Sequence, residues 1–166
     1  MYRVGLGSDI HRFETGRKLV LGGVEIPHSK GLLGHSDADV VLHSLCDALL
    51  GASALGDLGT FFPGDEKNKD RPSSEILSEV CRRVWDMGYQ IINADIVIMA
   101  EKPKLTEYKE LMKTKIAALM NVQPHCVGVK ATTGEGMGAI GRSEGIFCQT
   151  VVLLKLRDNE QEITEV

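Results

Sequence analysis

Asp9-Ile10-His11 sets a carboxylate and an imidazole two residues apart. On an extended strand that spacing turns both side chains to one side. A lone pair of this kind is more often an ordinary polar strand end. His43 shifts the balance. It stands one turn into a helical pattern, in His35-Ser36-Asp37-Ala38-Asp39-Val40-Val41-Leu42-His43, among the apolar Val40, Leu42 and Leu45. Two histidines and one carboxylate suit zinc and leave a fourth position open for water or substrate. Asp47, four residues past His43, either orients that imidazole or is a plain surface charge.

Other segments suit phosphate and nucleotide chemistry. His35 and Ser36 precede a helix start, where free backbone N–H groups favour an anion, though turn and capping chemistry fits equally. Lys130-Ala131-Thr132-Thr133-Gly134-Glu135-Gly136 leaves a strand and enters a glycine turn. Hydroxyls, a lysine and open amides suit an oligophosphate, and Glu135 could hold a hard cation such as Mg2+. The spacing is not that of a Walker A loop. Asp57-Leu58-Gly59, followed by Phe61-Phe62-Pro63, makes a loop able to line a pocket. Residues 100–105, with Pro103 and Lys104, end a strand and could frame a flat base.

These residues need a frame. The 166 residues are enough for one domain with a real core. Net charge is −4, which gives no global field for nucleic acid or a membrane surface. No run approaches the ~18 apolar residues of a membrane span. The N-terminus lacks an apolar signal region, so a cytoplasmic (bacterial-type) chain, or an organelle stromal one after processing, is expected. The four cysteines are widely spaced and read as small buried hydrophobes. Of 18 glycines, eleven fall in residues 1–64 and six in 128–145, so two special-backbone regions flank a regular middle.

The expected elements are a strand over 2–12 and a hairpin of 18–21 with 24–26 around Gly22-Gly23. A glycine-bearing loop over 27–36 follows, then a helix capped by Asp37 and running to about 54. A turn-rich loop covers 55–64 and a polar connection 65–71. A helix over 73–87 ends at Gly88 in the C′ position. Next come a strand over 90–100, a helix over 106–120 with Leu111, Ile116, Leu119 and Met120 inward, and a strand over 127–132. An irregular glycine loop over 134–145 leads to a final strand over 146–156. Residues 1–156 form the single catalytic domain, and 157–166 a polar C-terminal tail. The fold class is α+β: a two-layer mixed β-sheet with helices on one face, plus a β-hairpin. Apolar residues on both faces of the strands predict that another subunit covers the open face.

Taken together, these motifs resemble the 2-C-methyl-D-erythritol 2,4-cyclodiphosphate synthase family of the non-mevalonate isoprenoid pathway. The likeness runs from Arg3 to Leu156. Its most specific part is Gly34-His35-Ser36-Asp37-Ala38-Asp39-Val40 with His43. Gly7-Ser8-Asp9-Ile10-His11 resembles the family's N-terminal metal motif. Residues 47–52 and 54–59, Lys130-Ala131-Thr132-Thr133, Glu135, Gly141-Arg142 and Glu144-Gly145 follow in order.

The resemblance implies a homotrimer with sheets packed toward the three-fold axis and sites between neighbouring subunits. It implies Zn2+, or another divalent transition metal, on Asp9, His11 and His43, and Mg2+ or Mn2+ on Glu135. His35 and Thr133 would stabilise the reacting phosphates. Asp57 and Gly59 would hold the methylerythritol part. Ala100, Pro103, Lys104, Leu105, Ala131 and Thr132 would hold the cytidine diphosphate part. Ser36, Leu58, Phe62, Asp65 and Arg142 join the substrate-binding set. The implied reaction turns 4-diphosphocytidyl-2-C-methyl-D-erythritol 2-phosphate into the 2,4-cyclodiphosphate with release of CMP. Two other readings are a metal-dependent phosphohydrolase and a non-catalytic trimeric protein that binds isoprenoid diphosphates. Some positions depart from the family pattern. Gly64 stands where an acidic residue is common, and Gly134 and Gly136 where Thr and Lys are familiar. Ala139 replaces a familiar Phe, at a position that looks toward the trimer axis in the family. Some members hold an isoprenoid diphosphate there near Arg142 and Glu144, and the smaller Ala139 weakens the case for that ligand but not for catalysis.

Overall fold

The computed structural model describes residues 1–34, 36–63 and 71–157. The strands are β1 (Tyr2–Thr15), β2 (Leu19–Leu21), β3 (Val24–Ile26), β4 (Lys30–Leu32), β5 (Tyr89–Met99), β6 (Val127–Thr132) and β7 (Gly145–Leu156). The helices are α1 (Val40–Ala52), α2 (Leu58–Phe61), α3 (Ser73–Asp86), α4 (Lys109–Met120) and α5 (Gly138–Gly141).

Long runs rich in Val, Ile and Leu favour extended pairing, and β7 takes the centre of the sheet. It pairs antiparallel with β1 on one side and β5 on the other. β6 joins β5 in parallel, and β4 joins β1 antiparallel. The sheet order is therefore β4-β1-β7-β5-β6, with β2-β3 as a separate hairpin. Gly22 and Gly23 both have positive φ, +60° and +74°, as a type I′ turn requires.

Alternation along the strands sorts two faces. Ile146, Cys148, Thr150, Val152 and Leu154 of β7, with Ala94, Ile96 and Ile98 of β5, are buried on the helix side. Leu42, Leu45 and Leu49 of α1 and Leu77 of α3 are fully buried with them. Each such side chain is worth about 1.5–3 kcal/mol of apolar burial. Gly5 and Gly7 let α1 lie directly on β1. A Cβ at Gly5 would sit 1.9 Å from the Ala48 carbonyl oxygen, and one at Gly7 2.0 Å from that of Ser44. The opposite face is open: Tyr2, Val4, Leu6 and Ile10 of β1 and Val151 of β7 are exposed. A mixed sheet with helices on one face is the architecture expected above.

Several local features differ from expectation: β1 runs on to Thr15, and α5 forms within the segment 134–145 read as an irregular loop. β4 forms inside the segment read as a loop, because Gly31 lets the chain cross close to the Lys18 carbonyl. The α1 cap is Asp39, not Asp37: its carboxylate accepts the N–H groups of Val41 and Leu42, both at 3.1 Å. The same carboxylate accepts Gly22 N–H at 2.9 Å and Gly23 N–H at 2.7 Å, tying the hairpin turn to the helix. Burial pushes the Asp39 carboxyl up to about 6, against those backbone donors. A four-residue helix, α2, occupies the 55–64 loop, with Asp57 as its cap. Lastly, α4 starts three residues late, and its buried face carries Met112, Ile116 and Met120 while Leu111 is exposed. All four cysteines are free, Cys46 and Cys148 buried and Cys81 and Cys126 half-buried. Arg157 is held by a bond from its N–H to the Gly88 carbonyl and lies over the Trp85 ring. The remaining tail, 158–166, falls outside the described residues.

Candidate metal and phosphate site

β1 carries Asp9 and His11 on the helix-covered side, where the two-residue period of a strand puts them together. α1 brings His43 to the same point from above. Asp9 Oδ2 lies 2.9 Å from His11 Nε2 and 3.0 Å from His43 Nδ1. The two ring nitrogens are 3.1 Å apart. Three donors at the corners of a ~3 Å triangle fit one tetrahedral ion: metal–ligand bonds of ~2.05 Å imply ligands ~3.3 Å apart. The donor set can therefore hold a divalent metal.

The electrostatics agree. Burial alone would raise the Asp9 carboxyl, but hydrogen bonds and charge from His11 and His43 hold it well below the usual carboxylate range. Burial works against the charged His43 imidazole, yet the hydrogen bond and charge of Asp9 raise it overall. Both shifts describe a site that attracts positive charge.

Asp47 does not orient His43. Its Oδ1 accepts the Leu58 N–H at 2.7 Å and so anchors α2. The far nitrogen of His43, Nε2, instead meets Ser73 Oγ at 2.9 Å. Asp37, displaced from its expected capping role, accepts the Ser73 hydroxyl at 2.5 Å and the Ser73 N–H at 3.2 Å. Nothing local marked Ser73, which is 30 residues from His43. Arg17 was also passed over. It donates to the carbonyls of Gly34 at 3.0 Å and of Ser36, bracing the turn before α1.

The other expected residues are distributed as follows. Ser36 lies 3.4 Å from Ser73 Oγ. His35 and Asp65 lie outside the described residues. Asp57 is exposed, and its Oδ1 accepts both the N–H and the hydroxyl of Thr60 at 2.8 Å. Those bonds lower its carboxyl. Leu58 and Phe62 are half-buried beside it, Gly59 is exposed, and Arg71 stacks on the Phe62 ring. Ala100, Pro103, Lys104, Leu105, Ala131, Thr132 and Thr133 line one pocket of about 380 Å³, with Glu101 and Thr106. Thr133 donates to Glu135 at 3.2 Å. Glu101, unmarked in the sequence, accepts the Gly134 N–H at 3.0 Å and fixes that loop. Arg142 pairs with Glu144 at 2.6 Å on the surface. Ala139 lines a small cavity of about 120 Å³ with Ile10, His11 and Glu144.

Within one chain the pocket and the metal group are well apart. Asp9 pairs with Cys148, Cys148 with Ile98, and Ile98 with Ala131. Three strand spacings of ~4.8 Å put Asp9 and Ala131 roughly 14 Å apart across the sheet.

Known proteins match this sequence and this fold. The YgbB family model matches residues 2–155. The 2-C-methyl-D-erythritol 2,4-cyclodiphosphate synthase of Moorella thermoacetica is 54% identical over 94% of this chain and 96% of that protein. The protein of the same name from Alkaliphilus metalliredigens is 54% identical over 90% of this chain and 95% of its own. Among solved structures, the bifunctional IspDF from Campylobacter jejuni superposes with a TM-score of 0.92 at 42% identity. That match covers 95% of this chain but only 43% of the bifunctional protein. IspF from Plasmodium falciparum, solved as a CDP complex, gives 0.84 at 33% identity over 95% of this chain and 97% of its own. With nearly its whole length matched by the family model and by relatives above half identity, the chain belongs to the YgbB family, that of the 2-C-methyl-D-erythritol 2,4-cyclodiphosphate synthases.

Proposed function

We propose that this chain is a CMP-forming phosphorus–oxygen lyase, a cyclodiphosphate synthase. It converts 4-diphosphocytidyl-2-C-methyl-D-erythritol 2-phosphate to 2-C-methyl-D-erythritol 2,4-cyclodiphosphate. The observation that carries this reading is the convergence of Asp9, His11 and His43 in a chain with such relatives. A protein that only bound isoprenoid diphosphates would not need that donor set.

The reaction is intramolecular. An oxygen of the 2-phosphate attacks the β-phosphorus, the bond from that phosphorus to the bridging oxygen breaks, and CMP departs with that oxygen. The attacking oxygen is already ionised at neutral pH, so no strong base is required. Catalysis therefore rests on positioning and charge stabilisation. Asp9, His11 and His43 would hold zinc, and Glu135, with one exposed carboxylate, would hold Mg2+ or Mn2+ against the phosphates. Bound there, these cations supply neutralisation of the phosphate charge. Lys104, Thr132 and Thr133 lie at the pocket suited to the cytidine diphosphate part, and the Plasmodium falciparum relative was solved as a CDP complex. His35 and Thr133 would meet the reacting phosphates. Ser36, Asp57, Leu58, Gly59, Phe62, Asp65 and Arg142 complete the substrate-binding set. The bacterial relatives favour a cytoplasmic setting.

A substrate reaching both the metal group and the nucleotide pocket is served better by two chains than by one. The ~14 Å separation within a chain and the open apolar face support a homotrimer, sheets inward, in which neighbours pair the two half-sites. Leu6 lies opposite Val151 on that face, and both are exposed in the single chain. Leu6→Glu should shift sedimentation from the three-chain mass to the single-chain mass and abolish activity. A variant that stays trimeric would remove this face from the interface.

The reaction itself is tested by incubating the protein with the diphosphocytidyl substrate and Mg2+ and following ³¹P NMR. A cyclic diphosphate and CMP are expected. Linear products would indicate phosphohydrolysis, and an unchanged substrate would refute the synthase reading.

A further inference from the structure

We infer that Ser73 is a positioning residue that sets which ring nitrogen of His43 faces the metal ligands, an inference resting on the metal reading above. The N-cap position of α3 is Pro72, and Ser73 is the first residue inside the helix. Pro72 offers no side-chain cap, and the hydroxyl of the fully buried Ser73 finds its partners outside α3. Its Oγ meets His43 Nε2 at 2.9 Å and Asp37 Oδ1 at 2.5 Å. Ser36 Oγ, at 3.4 Å, is the remaining and far weaker contact.

Proton counting then settles the direction of the chain. Asp37 acts as an acceptor on every side: from the Ser73 hydroxyl, the Ser73 N–H at 3.2 Å and the Asp39 N–H at 3.3 Å. A hydroxyl has one proton. Ser73 gives it to Asp37, so only a lone pair is left toward His43. Nε2 of His43 must therefore carry a hydrogen and donate it. That leaves Nδ1, 3.0 Å from Asp9 Oδ2 and 3.1 Å from His11 Nε2, as the nitrogen with a lone pair for a metal. Asp37 and Ser73 thus do for His43 what a carboxylate or carbonyl does for most metal-bound histidines: they lock the tautomer and the ring angle. The buried Ser73 also ties the start of α3 to α1 through His43.

Zinc affinity, measured by competition with a chromophoric chelator, should fall 10–100-fold in Ser73→Ala. Circular dichroism should match that of the unmodified chain. A folded Ser73→Ala that binds zinc within threefold of the unmodified chain overturns the inference. Long-range ¹⁵N NMR of the unmodified zinc-loaded protein gives a second readout that does not depend on the variant folding. His43 should show a protonated Nε2 and a metal-shifted Nδ1, and the reverse assignment overturns the inference. If the unmodified chain takes up no zinc, the metal reading falls and this inference with it. Normal zinc uptake with the wrong tautomer or an insensitive Ser73→Ala removes the Ser73 role alone.

Discussion

His43→Ala should purify without its metal and with activity lowered about 10³-fold or more, while its fold and melting temperature in chelator stay near those of the unmodified chain. The reason lies in the donor triangle. His43 supplies one of three atoms within about 3 Å of one another, and Asp9 and His11 alone leave a two-ligand site. Catalytic charge stabilisation of several kcal/mol goes with the ion, at a factor of ten for each 1.36 kcal/mol. The fold should survive because the side chain is half-buried at the edge of the core and its partners, Asp9 and Ser73, keep other hydrogen bonds. Elemental analysis together with a denaturation curve decides the matter. Metal content equal to that of the unmodified chain would contradict the ligand assignment outright.

Gly7→Ala should be nearly as damaging without touching any functional group. The added Cβ would lie 2.0 Å from the Ser44 carbonyl oxygen and 2.5 Å from the Ala48 nitrogen, both helix backbone. Backbone cannot rotate aside as a flexible side chain can, so α1 must lift from β1 by roughly 1 Å or more. Overpacking of this kind costs about 3 kcal/mol. His43 rides on the lifted helix while Asp9 and His11 stay on the strand, and metal sites tolerate only ~0.2 Å in ligand distance. The midpoint of urea unfolding and the zinc affinity should therefore fall together. Gly16→Ala is the matched control: its φ is +81° but nothing lies within 4 Å of the added Cβ. It should lose about 1 kcal/mol from backbone strain and keep its metal affinity. A Gly7→Ala protein with unaltered unfolding and metal binding would show that the close approach of helix and strand is not needed.

How far the chain could be read in advance depended on the range of each cause. Asp9 and His11 were legible because strand periodicity is a two-residue rule. His43 was legible because it follows a glycine turn at a helix start and belongs to a motif shared with a family. The loops after β5 and β6 declared themselves by Pro103 and by the threonine–glycine run, and they meet in one pocket. Asp37 and Asp39 are both good caps, and local sequence alone points to Asp37 where the structure uses Asp39. What separates them is the hairpin turn at Gly22 and Gly23, 16 or 17 residues away, which takes up Asp39. Asp47 was offered to His43 on helical spacing, but the Leu58 N–H reaches it first. Ser73 was invisible for the same reason. Serines are common, and only folding brings this one against an imidazole from another helix. β4 escaped because three residues hold too little alternation to stand out, and its partner is the far end of β1.

The metal group joins two elements that are separated along the chain by the hairpin and β4. Asp9 and His11 belong to β1, and His43 to α1. An ion shared between them would be a cross-link across the interface of sheet and helix, one set by the free-metal level. Anything that binds the native state and not the unfolded chain adds RT ln(1 + [L]/Kd) to stability, about 2.7 kcal/mol at a hundredfold excess over Kd. That is a sizeable part of the 5–15 kcal/mol that holds a typical domain together. Metal supply would therefore set the stability of each chain as well as the fraction of chains that carry the ion.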